Sequence, residues 1–398
     1  MNIIRKWTDS SLILKIVLGL ALGIILAIAF PKAQFICFFG TVFVSALKAI
    51  APILVGLLVT SSLARAQEGH GKRFRAIIVL YLTTTLLAAC VSVAASFFFP
   101  VTLDLDEAAD AVAPSSLGMV FGNLLNSMVS NPIQAVSEAN YLGVLFWSVV
   151  LGLALRALAS ERTLQVISNL GDACSKAVGW IIQFAPFGIM GLVYSSATES
   201  GISVFIQYGR LLALLVGCML FIALVMNPLI VGIMLKRNPY PLVFKCLKES
   251  GISAFFTRSS AANIPVNLDF CRKMGLDESF YSVSIPLGST INMNGAAVTI
   301  TVLSLAVCHT LGVEVGIGAA LILSIVATLA ACGASGVAGG SLLLVPMACS
   351  LFGISSDIAM QAVAVGFIIG VIQDSVETAL NSSGDALFTA AVLLREKR

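Results

Sequence analysis

The sequence predicts an all-α polytopic membrane protein with eight transmembrane helices and two opposed re-entrant helical hairpins. Three observations support this prediction. Of the 398 residues, 58% are hydrophobic and only 11% are charged, whereas about a quarter of the residues in a soluble domain are charged. Long apolar stretches follow one another from residue 12 to residue 394. Two of these stretches contain turn residues at their centres, as a segment does when it enters the membrane and returns.

Six apolar stretches come first, and each is long enough to cross a hydrocarbon core of about 30 Å. They are residues 12–30, 36–64, 76–99, 116–158, 164–197 and 203–235. Lys and Arg are concentrated before the first of them and after the second, fourth and sixth, whereas Asp and Glu are concentrated after the third. Because cytoplasmic joints carry the excess of Lys and Arg, we expect both termini to face the cytoplasm.

The stretches 250–268 and 317–352 do not fit single crossings. Stretch 250–268 lies between two basic joints and contains TRSSAANIP, so we expect a hairpin that dips in from the cytoplasm. Stretch 317–352 lies between Glu314 and Asp357 and contains GASGVAGGS, so we expect the mirror-image hairpin from the outer side. Irregular backbone at membrane depth is tolerated where it is buried in protein or lines a cavity. Spans 280–311 and 357–394 complete the eight crossings.

The last span carries acidic side chains at membrane depth. Asp374, Thr378, Asn381 and Asp385 are spaced 4, 3 and 4 residues apart, so a helix places them on one stripe, with Glu377 beside it. Intramembrane carboxylates are costly and face a partner, a cavity or an ion. The alternative is that these side chains only join helices by hydrogen bonds. A single Asn or Ser would serve that purpose at lower cost, so we expect one wall of a binding site.

Span 280–311 contains Asn292-Met293-Asn294-Gly295, where we expect the helix to unwind. Its exposed carbonyl oxygens would suit an alkali cation; the alternative is a simple kink at glycine. We interpret each hairpin as followed by a broken helix, the second being the polar helix of span 357–394. Two such units in opposite orientation are the inverted-repeat plan of secondary transporters, with substrate and ions near the midplane.

Other classes of protein fit the sequence less well. There is no basic stripe for nucleic acid. The nine cysteines include no CxxC pair, and neither HExxH nor GxSxG is present, which argues against an enzyme. A channel remains an alternative because polar hairpins also form filters; sodium-driven, saturable uptake would distinguish a transporter from it.

Four motifs together resemble a known family. TRSSAANIP, PLGSTINMNG, GASGVAGG and the D-x₃-T-x₂-N-x₃-D helix resemble the dicarboxylate/amino acid:cation symporter family, which includes the glutamate transporters. The resemblance covers essentially the whole chain and is greatest to the bacterial sodium:serine/threonine symporters. It implies a glutamate-transporter-like elevator fold with inverted repeats, a homotrimer in the lipid bilayer of the bacterial inner membrane, and import of serine and threonine with Na⁺.

The resemblance also implies a division of the chain into a static scaffold and a moving transport domain. The scaffold would comprise residues 1–72 (helices 1 and 2) and 108–200 (helices 4 and 5). The transport domain would comprise residues 73–107 (helix 3) and 201–398 (helices 6, 7 and 8 with both hairpins). Alternating access would follow from an elevator movement of the second unit along the first.

By resemblance, Asp374 would hold the substrate ammonium group, and Asn381 its carboxylate together with backbone N–H groups of Ser259 and Ser260. Thr378 would face the substrate side chain. The remaining substrate-site residues implied are Arg258 at the first hairpin tip, and Val337 and Gly339 at the second tip, which would form the outer gate.

The sodium ligands are implied in the same way. One site would use the Asp385 carboxylate with carbonyls of Gly288, Asn292 and Asn381. A second would use carbonyls near Thr290, Ala331, Cys332 and Ala334 under the outer hairpin. A third would involve Tyr81, Thr84, Thr85, Asn292 and Asn294.

Two departures from the family pattern bear directly on function. Acidic-substrate members have an arginine where this chain has Glu377, so we expect small neutral hydroxy amino acids as substrates and a Glu377–Arg258 pair when substrate is bound. The motif aspartate is Asn294 here, so the third sodium site has lost its charge. The alternative function is a proton- or sodium-coupled symporter of acidic amino acids or dicarboxylates.

Overall fold

The computed structural model describes residues 12–65, 72–105, 128–138, 140–199, 201, 204–334 and 339–396, and their regular secondary structure is helical. The helices of the first half are α1 (Leu12–Ala29), α2 (Cys37–Arg65), α3 (Lys72–Phe98), α4 (Pro132–Ser137), α5 (Tyr141–Leu158), α6 (Glu161–Gln183) and α7 (Ala185–Glu199). Those of the second half are α8 (Val204–Phe221), α9 (Asn227–Leu235), α10 (Tyr240–Cys246), α11 (Ile252–Thr257), α12 (Ile264–Lys273), α13 (Glu278–Ile291), α14 (Asn294–Thr310), α15 (Ile317–Ala331), α16 (Val345–Ser350) and α17 (Ser356–Glu396). Short π segments, Ile222–Met226 and Leu247–Gly251, join α8 to α9 and α10 to α11.

One group of helices consists of α1, α2, α5, α6 and α7. Helix α2 packs on α5, α6 and α7, and α1 packs on α7. The α1–α7 contact is very close, since a Cβ atom at Gly19 would lie 2.2 Å from the carbonyl oxygen of Pro186. Small residues of this kind let membrane helices approach backbone to backbone, which is where van der Waals packing is strongest.

A second group is built around α14. Every residue from Asn294 to Cys308 is buried, and α3, α15 and α17 pack around this helix. A helix that is apolar on all sides belongs in the centre of a bundle, and α14 is that helix here. The two hairpins lie on either side of α17.

The first hairpin comprises α10, α11 and α12, and its tip is formed by residues 258–263. The predicted range of 250–268 was wrong, since the helical arms run from Tyr240 to Lys273. Lys245 lies inside the first arm rather than in a joint. Its Nζ atom lies 2.9 Å from Met274 Sδ and 5.8 Å from the centre of the Phe270 ring, so this cation joins the two arms at their open end.

The second hairpin consists of α15, a one-turn 3₁₀ helix (Leu342–Leu344) and α16. The observed arms run from Ile317 to Ser350, close to the predicted 317–352. Residues 335–338 at the tip lie outside the described residues. The predicted site residue Val337 is among them.

The two polar spans differ in continuity. Helices α13 and α14 are separated at Asn292 and Met293, whose dihedral angles are not helical, so the predicted unwinding is confirmed. Helix α17, in contrast, is continuous from Ser356 to Glu396, and the prediction that it is broken was wrong. Hydroxyl groups of Thr378 and Ser383 bond to carbonyls of their own helix, at 2.7 Å and 2.6 Å, and no proline interrupts this segment.

Several described helices are long and apolar enough to cross a membrane. Five meet this criterion singly, and α6 with α7, bent by 55°, would make a sixth. Helix α1, helix α5 and hairpin helix α15 contain shorter apolar helices. The chain is therefore a polytopic membrane protein by length and composition, and the count of eight crossings stays a prediction.

The two groups of helices meet where α17 packs on α1, α2 and α7 and where α16 packs on α5. The rings of Phe43 and Phe367 pack edge to face with their centroids 5.2 Å apart. Lys48 forms an ion pair with Asp357 at the first turn of α17. Each of these contacts joins a residue of one group to a residue of the other, so any movement of one group along the other must break them.

Candidate functional site

The polar stripe of α17 lies at the centre of the second group. Asp374, Glu377, Thr378, Asn381 and Asp385 are each 6% exposed or less. Both hairpins and the α13–α14 break pack against this part of α17. The structure thus brings the predicted substrate and ion ligands into one buried cluster, although the sequence places them as far apart as Tyr81 and Asp385.

Asp374 joins the tips of both hairpins. Its Oδ2 atom accepts a 2.7 Å hydrogen bond from Arg258 Nε, and its Oδ1 atom accepts a 3.2 Å bond from the Gly339 N–H. Arg258 is 11% exposed in its side chain and Asp374 is 4% exposed, so the pair is shielded from water and its hydrogen bonds are charge-assisted.

The backbone at Arg258 explains how this side chain reaches α17. Arg258 ends α11 with a φ of 52°, the left-handed region that costs a non-glycine residue roughly 1–2 kcal/mol. Such strain persists where surrounding contacts determine the conformation. Here the Asp374 ion pair is one such contact.

Glu377 lies among neutral hydrogen-bond donors in this structure. Its Oε2 atom accepts three hydrogen bonds: from Thr299 Oγ1 (2.6 Å), Ser341 Oγ (2.8 Å) and Gln373 Nε2 (2.6 Å). Arg258 pairs with Asp374 in this structure, and the Glu377–Arg258 pair that we expect with bound substrate stays a prediction.

Asn381 lies against the start of α14. Its Oδ1 atom accepts a 2.7 Å hydrogen bond from the Gly295 N–H, and its Nδ2 atom lies 3.5 Å from Met293 Sδ. Glycine is needed at 295 because a Cβ atom there would lie 2.9 Å from the Glu377 backbone. The first N–H groups of a helix attract negative charge and acceptors, so this end of α14 adds donors to the site.

Asp385 lies in a group of oxygen atoms at the α13–α14 break. Its Oδ1 atom accepts a 2.9 Å bond from Asn292 Nδ2, which also donates to the Asn381 carbonyl at 3.3 Å. A Cβ atom at Gly288 would lie 2.7 Å from Asp385 Oδ1. Asp385 Oδ2 and Asn292 Oδ1 are buried and have no donor among the residues that the structure describes. Unpaired buried oxygens, one of them from a carboxylate, fit a hard cation such as Na⁺.

The residues implied in the second sodium site also lie together. Cys332, which ends α15, has its Sγ atom 3.8 Å from the Ile291 carbonyl and 3.4 Å from the Thr328 carbonyl. Thr290 is adjacent to Ile291 in the last turn of α13. Ala331 and Ala334 are joined by a 3.0 Å backbone bond. The hairpin turn therefore lies against the end of α13.

The third group is buried and neutral. Tyr81, Thr84, Thr85 and Asn294 are fully buried. The Thr85 hydroxyl lies 2.9 Å from Asn294 Oδ1 and 2.9 Å from the Tyr81 carbonyl. Asn294 Nδ2 has no acceptor among the described residues. An amide N–H₂ group presents positive charge where an aspartate would present a second oxygen, which disfavours a cation.

The remaining predicted residues lie at the tip of the first hairpin. Ser260 is buried, and Ser259 Oγ accepts a 3.2 Å hydrogen bond from the Ala262 N–H. Thr378 lies on α17 one turn after Asp374, and its hydroxyl donates to the Asp374 carbonyl. The hydroxyl oxygen of Thr378 keeps its capacity to accept a hydrogen bond.

Sequence reasoning missed two polar networks. One consists of the three donors to Glu377. The other fixes the first hairpin to α17: Asn263 Nδ2 donates to Ser382 Oγ at 2.8 Å, and Asn267 Nδ2 donates to the Ser382 carbonyl at 3.1 Å. Asn263 and Asn267 are four residues apart, and this spacing on one helical face was the available signal.

Comparison with known proteins identifies the family. The profile of the sodium:dicarboxylate symporter family matches residues 12–393, which is nearly the whole chain. The chain belongs to the sodium:dicarboxylate symporter family. The members of a symporter family are transporters, so the prediction that the chain is not an enzyme is confirmed, and the family description implies coupling to sodium.

Individual members of the sodium:dicarboxylate symporter family are very similar to this chain. The serine/threonine transporter SstT of Bifidobacterium adolescentis is 56% identical over 385 residues, covering 96% of this chain and 90% of the relative. The protein of the same name from Streptococcus thermophilus is 57% identical over 389 residues, covering 97% and 96%. That from Streptococcus agalactiae is 55% identical over the same number of residues.

Proposed function

We propose that this protein imports serine and threonine by symport with sodium. The single observation that carries this proposal is the identity of 55–57%, over nearly the full length of both chains, to relatives named serine/threonine transporters. At this similarity the buried site is expected to serve the same class of substrate. The protein would act in the bacterial inner membrane, with both termini in the cytoplasm.

Asp374 would bind the substrate ammonium group. Its carboxylate now accepts bonds from Arg258 and from the second hairpin tip, which are donors of the kind that an ammonium group supplies. Substrate would therefore replace or share the Arg258 contact. The substrate carboxylate would be held by Asn381 Nδ2 and by N–H groups at Ser259 and Ser260, and Thr378 would face the substrate hydroxyl.

Glu377 would exclude acidic substrates by its charge. The nearby groups are one cation, Arg258, and three carboxylates, Asp374, Glu377 and Asp385, which disfavours any further negative charge. Juxtaposed like charges at an interface cost several kcal/mol. Because Glu377 is fixed by three donors, it cannot turn away from an incoming carboxylate without losing them.

Two sodium ions would accompany the substrate. Asp385 with the carbonyls of Gly288, Asn292 and Asn381 would hold one, and this assignment is supported by the unpaired Asp385 Oδ2. The carbonyls near Thr290, Ala331, Cys332 and Ala334 would hold the second. The site of Tyr81, Thr84, Thr85 and Asn294 would bind sodium weakly or not at all, because its side chains are neutral.

Alternating access would occur by an elevator movement within a homotrimer. The proposed moving unit is residues 73–107 and 201–398, and the proposed scaffold is residues 1–72 and 108–200. This division is supported by the packing of α1, α2, α5, α6 and α7 into one group and of α3, α14, α15 and α17 into another.

The test is uptake of labelled serine by proteoliposomes that contain the purified protein. We expect concentrative, saturable uptake with sodium outside, and loss of concentrative uptake when potassium or choline replaces it. Unlabelled threonine should compete, and aspartate should not. Efficient competition by aspartate would favour the acidic amino acid symporter, and uptake driven equally well by a proton gradient would refute sodium coupling.

A further inference from the structure

A long apolar groove lies between α3 and α8, away from the Asp374 cluster. Its volume is about 940 Å³, within the roughly 300–1,000 Å³ of ligand pockets. Ala94, Phe98, Leu214 and Phe221 are among its lining residues. Phe98 is 80% exposed and Phe221 is 47% exposed, so in a membrane this groove opens towards lipid.

Arg210 lies at one end of the groove. It is the single charged side chain among the described residues that line it, it is exposed, and it has no acidic partner in the described part of the chain. Phe99 and Pro100, just beyond the end of α3, line the groove as well. An arginine at the end of an apolar membrane groove directs its charge to the interface.

The direction of the groove follows from the pairing of the two helices. Asp104 and Leu105, which follow α3, line one cavity with Tyr208 near the start of α8, and Arg210 shares the groove with Phe99. The C-terminal end of α3 therefore lies beside the N-terminal part of α8. The groove runs from the interface at Arg210 towards the membrane interior at Phe221.

The length of the groove matches one leaflet. Eleven residues separate Arg210 from Phe221, which on a helix is about 16 Å. Half of a hydrocarbon core of about 30 Å is about 15 Å. An acyl chain in one leaflet would therefore extend along the groove from its inner end to the headgroup level, where the Arg210 guanidinium lies.

We propose that the α3–α8 groove is a binding site for one anionic phospholipid, with its acyl chain along the groove and its phosphate on Arg210. The apolar lining selects a hydrocarbon chain, and the arginine selects a negatively charged headgroup because guanidinium and phosphate groups form charge-assisted hydrogen bonds. Because α3 and α8 belong to the same packed group as α17, the lipid would be bound to the unit that contains the substrate site.

Two pairs of variants test this site. Gly217 lines the groove and has open space around its Cβ position, so Gly217→Phe fills the groove without a clash. Gly209 on the same helix has equally open space but is not a lining residue, so Gly209→Phe is the matched control. Arg210→Gln removes the cation, and Arg237→Gln, at an exposed position after α9, is its control.

The measurement is native mass spectrometry of the purified full chain with added phosphatidylglycerol or phosphatidylcholine. We expect one phosphatidylglycerol to bind the native protein in preference to phosphatidylcholine. Gly217→Phe should lose both lipids. Arg210→Gln should lose the preference, with phosphatidylglycerol binding lowered about fivefold, as expected for one cation at an anionic surface.

Either of two results would overturn the proposal. The groove would not be the site if Gly217→Phe bound as much phosphatidylglycerol as Gly209→Phe. Arg210 would not be the headgroup ligand if Arg210→Gln kept the same lipid preference as Arg237→Gln. Since Arg210 is exposed, its substitution leaves the packed core unchanged, and the second comparison stands even if Gly217→Phe is poorly folded.

Discussion

Asp374 and Asp385 are buried carboxylates on the same helix, and their surroundings favour different cations. Asp374 accepts hydrogen bonds from N–H donors of two hairpin tips. The N–H groups of an ammonium ion can take the place of these donors. Asp385 has an unpaired oxygen and lies beside the Asn381 carbonyl and the unpaired Asn292 Oδ1 atom. A metal ion can coordinate such oxygens directly. An ammonium group would also need room for the rest of the substrate molecule that carries it.

The first prediction separates these two roles. Asp374→Asn should weaken serine binding about 30-fold or more, because removing one partner of a buried charge pair costs about 2–5 kcal/mol. Asp385→Asn should instead raise the sodium concentration needed for half-maximal serine binding. Thermal-shift titrations with serine at several fixed sodium concentrations measure both effects. Native serine affinity in Asp374→Asn would refute the assignment.

The second prediction concerns the charge at Glu377. Glu377→Gln keeps the size of the side chain and one acceptor oxygen for Thr299 and Ser341 while removing the charge. Aspartate should then inhibit serine uptake about tenfold better than in the native protein. We expect this modest gain because juxtaposed like charges cost several kcal/mol and a tenfold change corresponds to a small part of that energy. Glu249→Gln, at an exposed position, is the control. Equal aspartate inhibition in all three proteins would mean that the charge does not select substrate.

The third prediction concerns sodium stoichiometry. Asn294→Asp would place a carboxylate oxygen beside Thr85 and remove the amide group that has no acceptor. The native protein should carry about two sodium ions per serine, from the two sites proposed here, and the variant should carry more. Reversal potentials measured across a series of sodium gradients give the ratio. A native ratio of three would contradict the assignment.

At the scale of elements, the two hairpins are held to α17 in different ways. The first is fixed by the Arg258–Asp374 ion pair and by neutral side chains, Asn263 and Asn267, bonded to Ser382 inside the bundle. The second is held through Gly339 on Asp374 and Ser341 on Glu377, and both of these acceptors belong to the proposed substrate site. A change of charge at Asp374 therefore affects both hairpins, whereas a change of charge at Glu377 affects the second hairpin.

The fourth prediction tests this attachment. Ser341→Ala removes one of the three donors to Glu377 and should favour opening of the second hairpin, lowering serine affinity about tenfold, since a hydrogen bond to a charged group contributes about 1.5–3 kcal/mol. Ser350→Ala, on the same hairpin, is the matched control because its hydroxyl bonds only a nearby carbonyl of its own helix, Met347. Equal serine affinity in the two variants would show that Ser341 does not hold the hairpin.

The elements also show what the sequence could and could not predict. The break at Asn292 was predictable because polar residues and a glycine interrupt an apolar helix there. The start of the first hairpin was not predictable. The charge of Lys245 is typical of a joint between spans, but its contacts with Met274 and Phe270 place it inside the hairpin. Likewise, no pattern indicates that Arg258 adopts a left-handed conformation.

At the scale of the whole molecule, the contacts between the two groups differ from those inside them. Between the groups lie the Phe43–Phe367 ring pair and the exposed Lys48–Asp357 ion pair. Exposed ion pairs contribute only about 0–1 kcal/mol, so the Lys48–Asp357 pair can be broken and formed again at little cost. Inside the second group, by contrast, α14 is buried along its length and is expected to move only with its neighbours.

The last prediction tests whether the groups slide during transport. In a variant whose nine native cysteines are replaced, Lys48→Cys with Asp357→Cys should be joined by a short bifunctional thiol reagent, because the native side chains are in contact. Serine uptake should then be lost, since the link fixes α2 to α17. The control is Arg73→Cys with Asp277→Cys, an exposed pair 3.0 Å apart within the second group. Its cross-linking should leave uptake intact, because both ends of the link would move together. Full uptake by the cross-linked 48–357 protein would exclude an elevator movement between these groups, whereas loss of uptake in both pairs would indicate damage by the reagent rather than a blocked movement.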